Sequence, residues 1–319
     1  MSSTLKKYSK IILPILLGVF LMWFSLQQVS FHELLGYFKN ANYTWVGLGV
    51  LFGILSHLSR AYRWKYLLEP LGYRVDFWNS VMSVFSGYLI NYTIPRAGEV
   101  ARASLLTTYE EVEFEKVFGT IVAERMADLL MMVVVISMTL FIQFDFISSF
   151  FMGKFQSQNL GIGLFLLLLA FGAFAFLVFK SSSKWAIKIK HFVNGLVQGV
   201  LSITRMENKW AFMGHTVFIW VMYILMFYVV TFAVDELRGV TLGMALLGFI
   251  SASFSIAATN AGIGAYPLAV FAAFSLYGLA KAPSLAFGWI TWASQTFMLV
   301  LLGGLSLILL PIYNRLKNN

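Results

Sequence analysis

The sequence predicts an all-α polytopic membrane protein with two inverted repeats, each holding three spanning helices and a re-entrant helical hairpin. Its 319 residues are 59% hydrophobic and only 12% charged, with a mean hydropathy of +0.79, which is too apolar for a soluble protein of this size. Apolar runs of spanning length recur along the chain. Two further apolar segments are interrupted by proline or glycine, which is typical of broken helices inside a membrane protein.

The composition excludes several kinds of site. The chain has no cysteine, so disulfides, thiolate metal sites and cysteine nucleophiles are excluded. The histidines are scattered without metal-ligand spacing, and we expect no cofactor. The net charge of +9 is typical of lysine and arginine in the cytoplasmic loops of a membrane protein, so we expect no nucleic-acid partner. The four histidines are His32, His57, His191 and His215.

The first repeat is predicted at residues 11–143. Three lysines precede its first apolar run, residues 11–26, so the N-terminus is expected in the cytoplasm. A short loop follows, and a second span is predicted from residue 43 to about residue 58. The last span of the repeat is predicted at residues 117–143, a length that allows a tilted crossing. After this span, a loop that holds Asp145 is expected outside.

Between these spans, residues 77–94 form an apolar segment that ends at Pro95 and continues as a polar helix at residues 98–107. If this segment crossed completely, Arg96 and Arg102 would lie outside, against the bias of basic residues toward the cytoplasm. We therefore predict a re-entrant hairpin that turns at the proline and lines a cavity. The alternative is an eight-span protein in which this hairpin and its counterpart in the second repeat are full crossings.

The second repeat is predicted at residues 160–311. Its spans are expected at residues 160–179, 210–234 and 284–310, and the last of them returns the chain to the cytoplasm. Residues 183–205 place apolar side chains at helical spacing opposite several lysines. This pattern predicts an interfacial amphipathic linker helix within the repeat.

A second hairpin is predicted between the last two spans. Its arms, residues 242–257 and the segment that ends near Leu279, fall short of the roughly 20 residues that a crossing needs. Glycines and Pro267 interrupt the pair at residues 258–267. Each half then makes three crossings, so the second half is inverted. Such an arrangement places the binding site of a transporter near the midplane of the bilayer.

The stretch from residue 91 to residue 128 concentrates charge in an otherwise apolar chain. An ionisable side chain inside a membrane is costly unless it is paired or hydrated, so these residues are candidates for a site. Arginine is suited to bidentate phosphate contact, and the acids would neutralise the arginines when no ligand is bound. The alternative is a permanent ion-pair cluster that only holds the hairpin. The candidates are Asn91, Arg96, Glu99, Arg102, Glu124, Arg125 and Asp128.

Two further groups are candidates. Arg60 and Arg63 end the second span, where basic side chains commonly snorkel toward the interface, and a phospholipid head-group contact is the alternative. At the second break, glycines either allow close helix approach or contribute to a translocation path. The candidates at that break are Asn260, Gly262, Gly264 and Tyr266. The sequence has no nucleotide phosphate loop, nucleophile elbow or metal-binding motif, so no enzymatic activity is expected.

Four short motifs carry a resemblance to a known family. They are Ser-Arg-Ala-Tyr-Arg-Trp at residues 59–64, Pro-Arg-Ala-Gly-Glu at 95–99 followed by Arg102, Glu-Arg at 124–125 followed by Asp128, and Gly-Ile-Gly at 262–264. Together they resemble the lysylphosphatidylglycerol synthase transmembrane-region family of flippase-like, YbhN-type integral membrane proteins. The resemblance covers about residues 12–311 of the chain.

The resemblance implies a protein that handles lipids. Larger members of the family join this region to a soluble aminoacyl-transfer domain that modifies phosphatidylglycerol, and their membrane region is associated with movement of the lipid between leaflets. This chain stops at Asn319 without such a domain, so we expect that it does not make lysylphosphatidylglycerol by itself. The chain also departs from the family pattern at the second break, where Pro267 stands in place of a glutamate.

These observations predict a flippase-like transporter in the cytoplasmic (inner) membrane, with both termini in the cytoplasm. We expect it to move an anionic phospholipid or a polyprenyl-phosphate-linked lipid, whose phosphate is held by arginines at a midplane cavity. The alternative is a membrane subunit that presents a lipid acceptor to a separately encoded glycosyl- or aminoacyl-transferase. The expected partners are therefore the lipid or lipid-linked sugar and such a transferase, and the protein is compatible with a homo-oligomer.

Overall fold

The computed structural model describes residues 16–95, 97–154 and 206–317, together with several residues between 180 and 190. Regular structure in these ranges is helical, and no strand occurs in them. Three of the helices described are long and apolar enough to cross a membrane, as judged by length and composition. The chain is therefore an all-α polytopic membrane protein, as its composition predicts.

The helices are numbered in chain order, and most of them coincide with predicted segments. They are α1 (Leu16–Gln27), α2 (Phe31–Asn40), α3 (Tyr43–Leu68), α4 (Phe77–Thr93), α5 (Gly98–Tyr109), α6 (Phe114–Ile142), α7 (Phe144–Lys154), α8 (Lys209–Thr231), α9 (Leu242–Ala258), α10 (Ala265–Ser275) and α11 (Lys281–Lys317). The three helices of spanning length and composition are α6, α8 and α11.

The chain folds into two compact units. The first unit contains Met1–Val122 and Trp210–Asn319, and the second contains Ala123–Lys209. Helix α6 begins in the first unit and continues in the second. The span predicted at residues 160–179 lies outside the described residues, as does most of the linker helix predicted at residues 183–205.

Helices α4 and α5 form an antiparallel pair, which we name the first hairpin. At its open end, the Glu110 carboxylate accepts hydrogen bonds from the Asp76 backbone N–H (3.0 Å) and from Asn79 Nδ2 (2.6 Å). At its tip, the Gly98 N–H donates to Asn91 Oδ1 (2.7 Å). The start of α4 therefore lies beside the end of α5, and the chain reverses direction at the break that the proline predicts.

Helices α9 and α10 form the second hairpin. The turn between them contains three residues with positive φ, which are Ala261 (53°), Gly262 (75°) and Gly264 (68°). Glycine adopts this left-handed region without steric cost, which explains two of the three. A side chain at Gly264 would also collide with the backbone of Leu21 and Met22 in α1. The turn therefore needs a glycine at this position for packing as well as for conformation.

The tips of the two hairpins meet against α11. Asn260 Nδ2 donates to the Tyr92 carbonyl oxygen (3.2 Å), which joins the second tip to the first. Trp292 of α11 donates its indole N–H to the Ala261 carbonyl oxygen (2.9 Å). The hydroxyls of Tyr92 and Thr296 are 3.3 Å apart. Helix α11 therefore holds both tips on neighbouring turns.

Helices α5 and α10 are short for a crossing. Helix α5 has 12 residues and α10 has 11, which corresponds to about 16–18 Å at about 1.5 Å per residue. The hydrocarbon core of a bilayer is about 30 Å thick. Neither helix can therefore reach across it alone.

Three segments differ from the prediction. The loop expected after the first span contains α2, and its N-cap Ser30 accepts a hydrogen bond from a backbone N–H of the first turn (3.2 Å). The loop expected around Asp145 contains α7, with that acid in its first turn. The second span is predicted to end near Leu58, but α3 continues to Leu68, because no helix-breaking residue occurs before Pro70.

Candidate functional site

One turn of α3 carries two arginines and a tryptophan inside the protein. Arg60, Arg63 and Trp64 are 2%, 0% and 0% exposed. Spacings of three and four residues place neighbouring side chains on one face of a helix. The interpretation of the two arginines as snorkelling anchors is therefore wrong, because a snorkelling side chain keeps its charge in water.

Helix α8 supplies neutral partners for both arginines. Arg63 Nη1 donates to Thr216 Oγ1 (2.7 Å), and the Arg63 guanidinium carbon lies 5.0 Å from the centre of the Phe212 ring. Arg60 Nη2 donates to the Tyr223 hydroxyl (3.3 Å). The three α8 residues recur at intervals of four and seven, so they share a helix face. That face packs against the arginine-bearing face of α3.

Arg102 of α5 joins the same group. It is 4% exposed, and its guanidinium carbon lies 3.7 Å from the centre of the Trp64 ring, in a stacked cation–π contact. The Trp64 indole N–H donates to Thr120 Oγ1 of α6 (2.8 Å), so the ring under Arg102 is itself held in place. We name Arg60, Arg63 and Arg102 the arginine cluster.

The arginine cluster gathers three permanent charges in the buried part of the first unit. A guanidinium stays protonated at physiological pH and presents its N–H donors in a planar fork that matches phosphate. The threonine, tyrosine, phenylalanine and tryptophan side chains contact these groups and orient them. Guanidinium groups suit anions that have several acceptor oxygens.

Two histidines flank the arginine-bearing turn. The His57 ring, one turn before Arg60, lies 4.5 Å from the Tyr88 ring of α4. His215 Nδ1 of α8 lies 2.8 Å from the Ser59 hydroxyl. These contacts hold α4 and α8 against the same part of α3. Within the described ranges, no group of three or more His, Asp or Glu side chains could hold a metal ion.

The candidates at the two breaks connect the hairpins. Asn91 closes the first tip, and Asn260 joins the second tip to the first. Gly262 and Gly264 supply the positive φ of the second turn. Tyr266 is buried in the first turn of α10. The structure therefore brings these five residues to the meeting point of the hairpins. The contacts described for them shape the two tips and join them.

The remaining candidates belong to α5 and α6, apart from Arg96. Glu99 is in the first turn of α5, where an acid complements the helix dipole. In the second unit, Glu124 is fully buried, and Arg125 Nη1 forms an ion pair with Asp128 Oδ2 (3.5 Å) across one turn of α6. Arg96 lies outside the described residues, so its predicted role stays a prediction.

A family model described as the lysylphosphatidylglycerol synthase TM region matches residues 11–303. This range includes α3, α5 and α8, which together hold the arginine cluster. The chain belongs to this family. The resemblance carried by the four sequence motifs is thereby confirmed, and membership is consistent with a membrane role related to lipids.

Two UPF0104 membrane proteins are similar to parts of this family member. One, from Methanocaldococcus jannaschii, is 35% identical over 92 residues, which are 28% of this chain and 27% of that protein. The other, from Pyrococcus horikoshii, is 27% identical over 134 residues, which are 41% of this chain and 39% of that protein. Each similarity therefore spans less than half of the relative's own length.

The candidates predicted from the sequence do not include several contact residues of this family member. Thr216 and Tyr223 bind the arginines, and Tyr92 joins the tips. A signal for the first two was present, because hydroxyl-bearing residues seven apart mark one face of an otherwise apolar helix. The sequence contains no comparable signal for Tyr92, whose contact with the second tip uses a backbone carbonyl.

Proposed function

We propose that the protein moves a lipid with a phosphate-bearing head group between the two leaflets of the cytoplasmic membrane. The arginine cluster carries this proposal, because three buried guanidinium groups, oriented by hydroxyl and aromatic side chains, suit an anion with several oxygens. The lipid is an anionic phospholipid or a polyprenyl-phosphate-linked lipid. Its phosphate binds at the cluster.

Guanidinium chemistry supports a phosphate as the ligand of the cluster. Hydrogen bonds between a phosphate and charged groups contribute about 1.5–3 kcal/mol each. Family membership supports a lipid as the source of that phosphate rather than a free anion.

The hairpins supply the path in this proposal. Both are re-entrant and enter the bilayer from opposite sides, within two inverted repeats whose outer ends leave both termini in the cytoplasm. The short helices α5 and α10 support this arrangement, and so does the contact between Asn260 and Tyr92 at the tips. Backbone that leaves helical geometry at membrane depth needs protein or water around it, and α11 packs there.

The proposed function is transport without chemical conversion of the lipid. The described contacts of the cluster include hydroxyl and aromatic side chains, which suit binding. A guanidinium does not exchange protons near neutral pH, so the arginines are poor acid–base catalysts. The competing possibility is that the protein presents a lipid acceptor to a separate transferase, and the experiment below distinguishes the two.

Transport in proteoliposomes tests the proposal. Wild-type protein should move fluorescent phosphatidylglycerol between leaflets, measured as the fluorescence lost when dithionite is added outside. Arg63→Gln should slow this exchange at least about tenfold, since it removes charge-assisted hydrogen bonds to the phosphate. The matched control is Lys65→Gln, which removes a positive charge from a partly exposed residue of the same helix and should leave the rate unchanged. A fluorescent polyprenyl phosphate in a second arm distinguishes the two lipid classes.

Equal rates for Arg63→Gln and wild type would remove the arginine cluster from the mechanism. If the wild type moves neither lipid and a deletion strain changes its lipid composition, the acceptor-presenting role would be favoured over transport.

A further inference from the structure

Two polar side chains of α11, one buried and one partly buried, are not part of the arginine cluster. Thr291 is 0% exposed, and Gln295 follows one turn later on the same face. Among the described residues, neither Thr291 Oγ1 nor Gln295 Nε2 has a hydrogen-bond partner, although both atoms are buried. We name these two residues the α11 polar pair. Buried polar groups in proteins are nearly always hydrogen-bonded, so this pair needs an explanation.

The Thr291 hydroxyl differs from those of three other threonines in the described helices. In an apolar environment, a helical threonine commonly donates to a carbonyl oxygen in the preceding turn of its own helix. Thr120, Thr139 and Thr216 do so, at 2.6–2.8 Å. Thr291 makes no such bond, so its hydroxyl remains available to a ligand.

The Gln295 carboxamide packs against a glycine of α3. A β-carbon at Gly53 would be 2.6 Å from Gln295 Oε1 and 3.3 Å from the sulfur atoms of Met226 and Met298. The glycine therefore makes room for the carboxamide between two apolar side chains. An amide in such surroundings is costly unless something hydrogen-bonds to it.

The α11 polar pair lies on the same turns of α11 as the residues that hold the hairpin tips. Gly53, which packs against the Gln295 carboxamide, is ten residues before Arg63 on α3, a distance of about 15 Å at about 1.5 Å per residue. On α11, the residues that follow the pair in sequence, Trp292 and Thr296, hold the two tips. The pair therefore lies beside the meeting point of the hairpins, about 15 Å along α3 from Arg63.

We propose that the α11 polar pair is a second binding subsite for the lipid head group, which the head group occupies after it leaves the arginine cluster. This inference rests on the proposed transport function. The Gln295 amide and the Thr291 hydroxyl donate hydrogen bonds to oxygens of the phosphate, glycerol or sugar. Neutral donors bind such oxygens more weakly than guanidinium does, so the pair holds the head group without trapping it.

Cysteine labelling tests the subsite directly, because the chain has no native cysteine. Thr291→Cys and Gln295→Cys each introduce one thiol, which reacts as the thiolate and therefore needs water. We expect both to react with a small anionic methanethiosulfonate at least about tenfold faster than Ser294→Cys. Ser294 is the matched control, since it lines an apolar groove of about 480 Å³ between α3 and α11 and donates its hydroxyl to the Thr291 carbonyl oxygen.

Short-chain phosphatidylglycerol should slow the labelling of both thiols relative to an equal concentration of neutral detergent. Absence of labelling at both positions would show a dry interior and overturn the proposal. Labelling that the lipid does not slow would show that only water occupies the pair, and would also overturn it. This readout does not depend on transport, so a failed subsite is distinguishable from a failed arginine cluster, which the Arg63→Gln transport rate reports.

Two substitutions on opposite helices test the subsite through transport. Gln295→Leu removes the amide, and Gly53→Ala displaces it with a β-carbon. Each should slow transport about three- to tenfold, the effect of losing one hydrogen bond, whereas Ser294→Ala should not change the rate. Size-exclusion chromatography in detergent confirms that each variant is folded. Wild-type rates in both folded variants would contradict the proposal.

Discussion

The two helical hairpins reach a similar antiparallel shape by different chemistry. In the first hairpin, side chains close both ends, with Asn91 at the tip and Glu110 at the base. In the second hairpin, the backbone forms the tip. Its φ angles are positive at Ala261, Gly262 and Gly264. The tip of the first hairpin therefore depends on the Asn91 side chain, and the tip of the second depends on glycines in the left-handed region. The comparison predicts that the two hairpins respond to different substitutions.

The bases of the hairpins differ as well. Asn79 and Asn314 exchange hydrogen bonds of 2.8 and 2.7 Å, and the Tyr313 hydroxyl donates to the Asp76 carboxylate (3.1 Å). These contacts tie the base of the first hairpin to the end of α11. Helix α9 of the second hairpin begins with an N-cap contact to the Thr241 side chain (3.4 Å). The first hairpin is thus anchored at its base by a polar network, which polar-to-apolar substitutions can dissect.

The largest effect is expected from Gly264→Ala in the second hairpin. An alanine there would keep an unfavourable positive φ, at roughly 1–3 kcal/mol, and its β-carbon would collide with the backbone of Leu21 and Met22. We expect a large fall in the thermal unfolding midpoint in detergent. The matched control is Gly278→Ala, where φ is also positive (73°) but a β-carbon would meet open space. Equal losses in the two variants would show that the contact with α1 contributes nothing.

An intermediate effect is expected at the base of the first hairpin. Asn79→Leu leaves the buried Asn314 amide without its reciprocal partner, at a cost of roughly 1–3 kcal/mol in the free energy of unfolding. The double variant Asn79→Leu/Asn314→Leu should lose less than the sum of the two single variants. Thermal unfolding of all four proteins measures this coupling. Strict additivity would show that the asparagine pair does not anchor the hairpin.

The smallest effect is expected from Asp76→Asn, which keeps the N-cap oxygen and removes the charge. Burial raises the pKa of Asp76, but hydrogen bonds from the Asn79 backbone, Lys317 and Tyr313 outweigh burial and hold this pKa below its ordinary value of 3.8. Because the pKa is lowered, the ionised carboxylate stabilises the fold at pH values above the ordinary pKa of 3.8. This contribution disappears as the pH falls through the folded-state pKa.

The loss for Asp76→Asn at pH 7 should be below about 1 kcal/mol, because Lys317 is 46% exposed and its attraction is screened by solvent. The unfolding midpoints of the variant and the wild type should differ at neutral pH and converge as the pH falls below 3.8. A difference that widens in acid would contradict the assigned role of the charge.

Local patterns were sufficient to predict most helices and both breaks. Helix α8 (Lys209–Thr231) agrees closely with the span predicted at residues 210–234, because hydropathy marks such a segment directly. Pro95 and Gly264 mark the two breaks, because neither residue favours a continued helix. The helices α2 and α7 were missed, since short amphipathic segments between spans carry only a weak periodic signal.

The site required more than local pattern. Arg60 and Arg63 have the same sequence signature whether they snorkel to water or face the protein, and the difference depends on what packs against that side of α3. The contact of Arg102 with Trp64 joins α5 to α3, and α4 lies between these two helices in the sequence. Hydropathy and helix breakers act over a few residues, so the chain alone indicates the membrane class, the helices and the chemical groups available. Burial and side-chain partnership depend on residues far apart in the chain, so the gathering of those groups into an arginine cluster appears only in the folded protein.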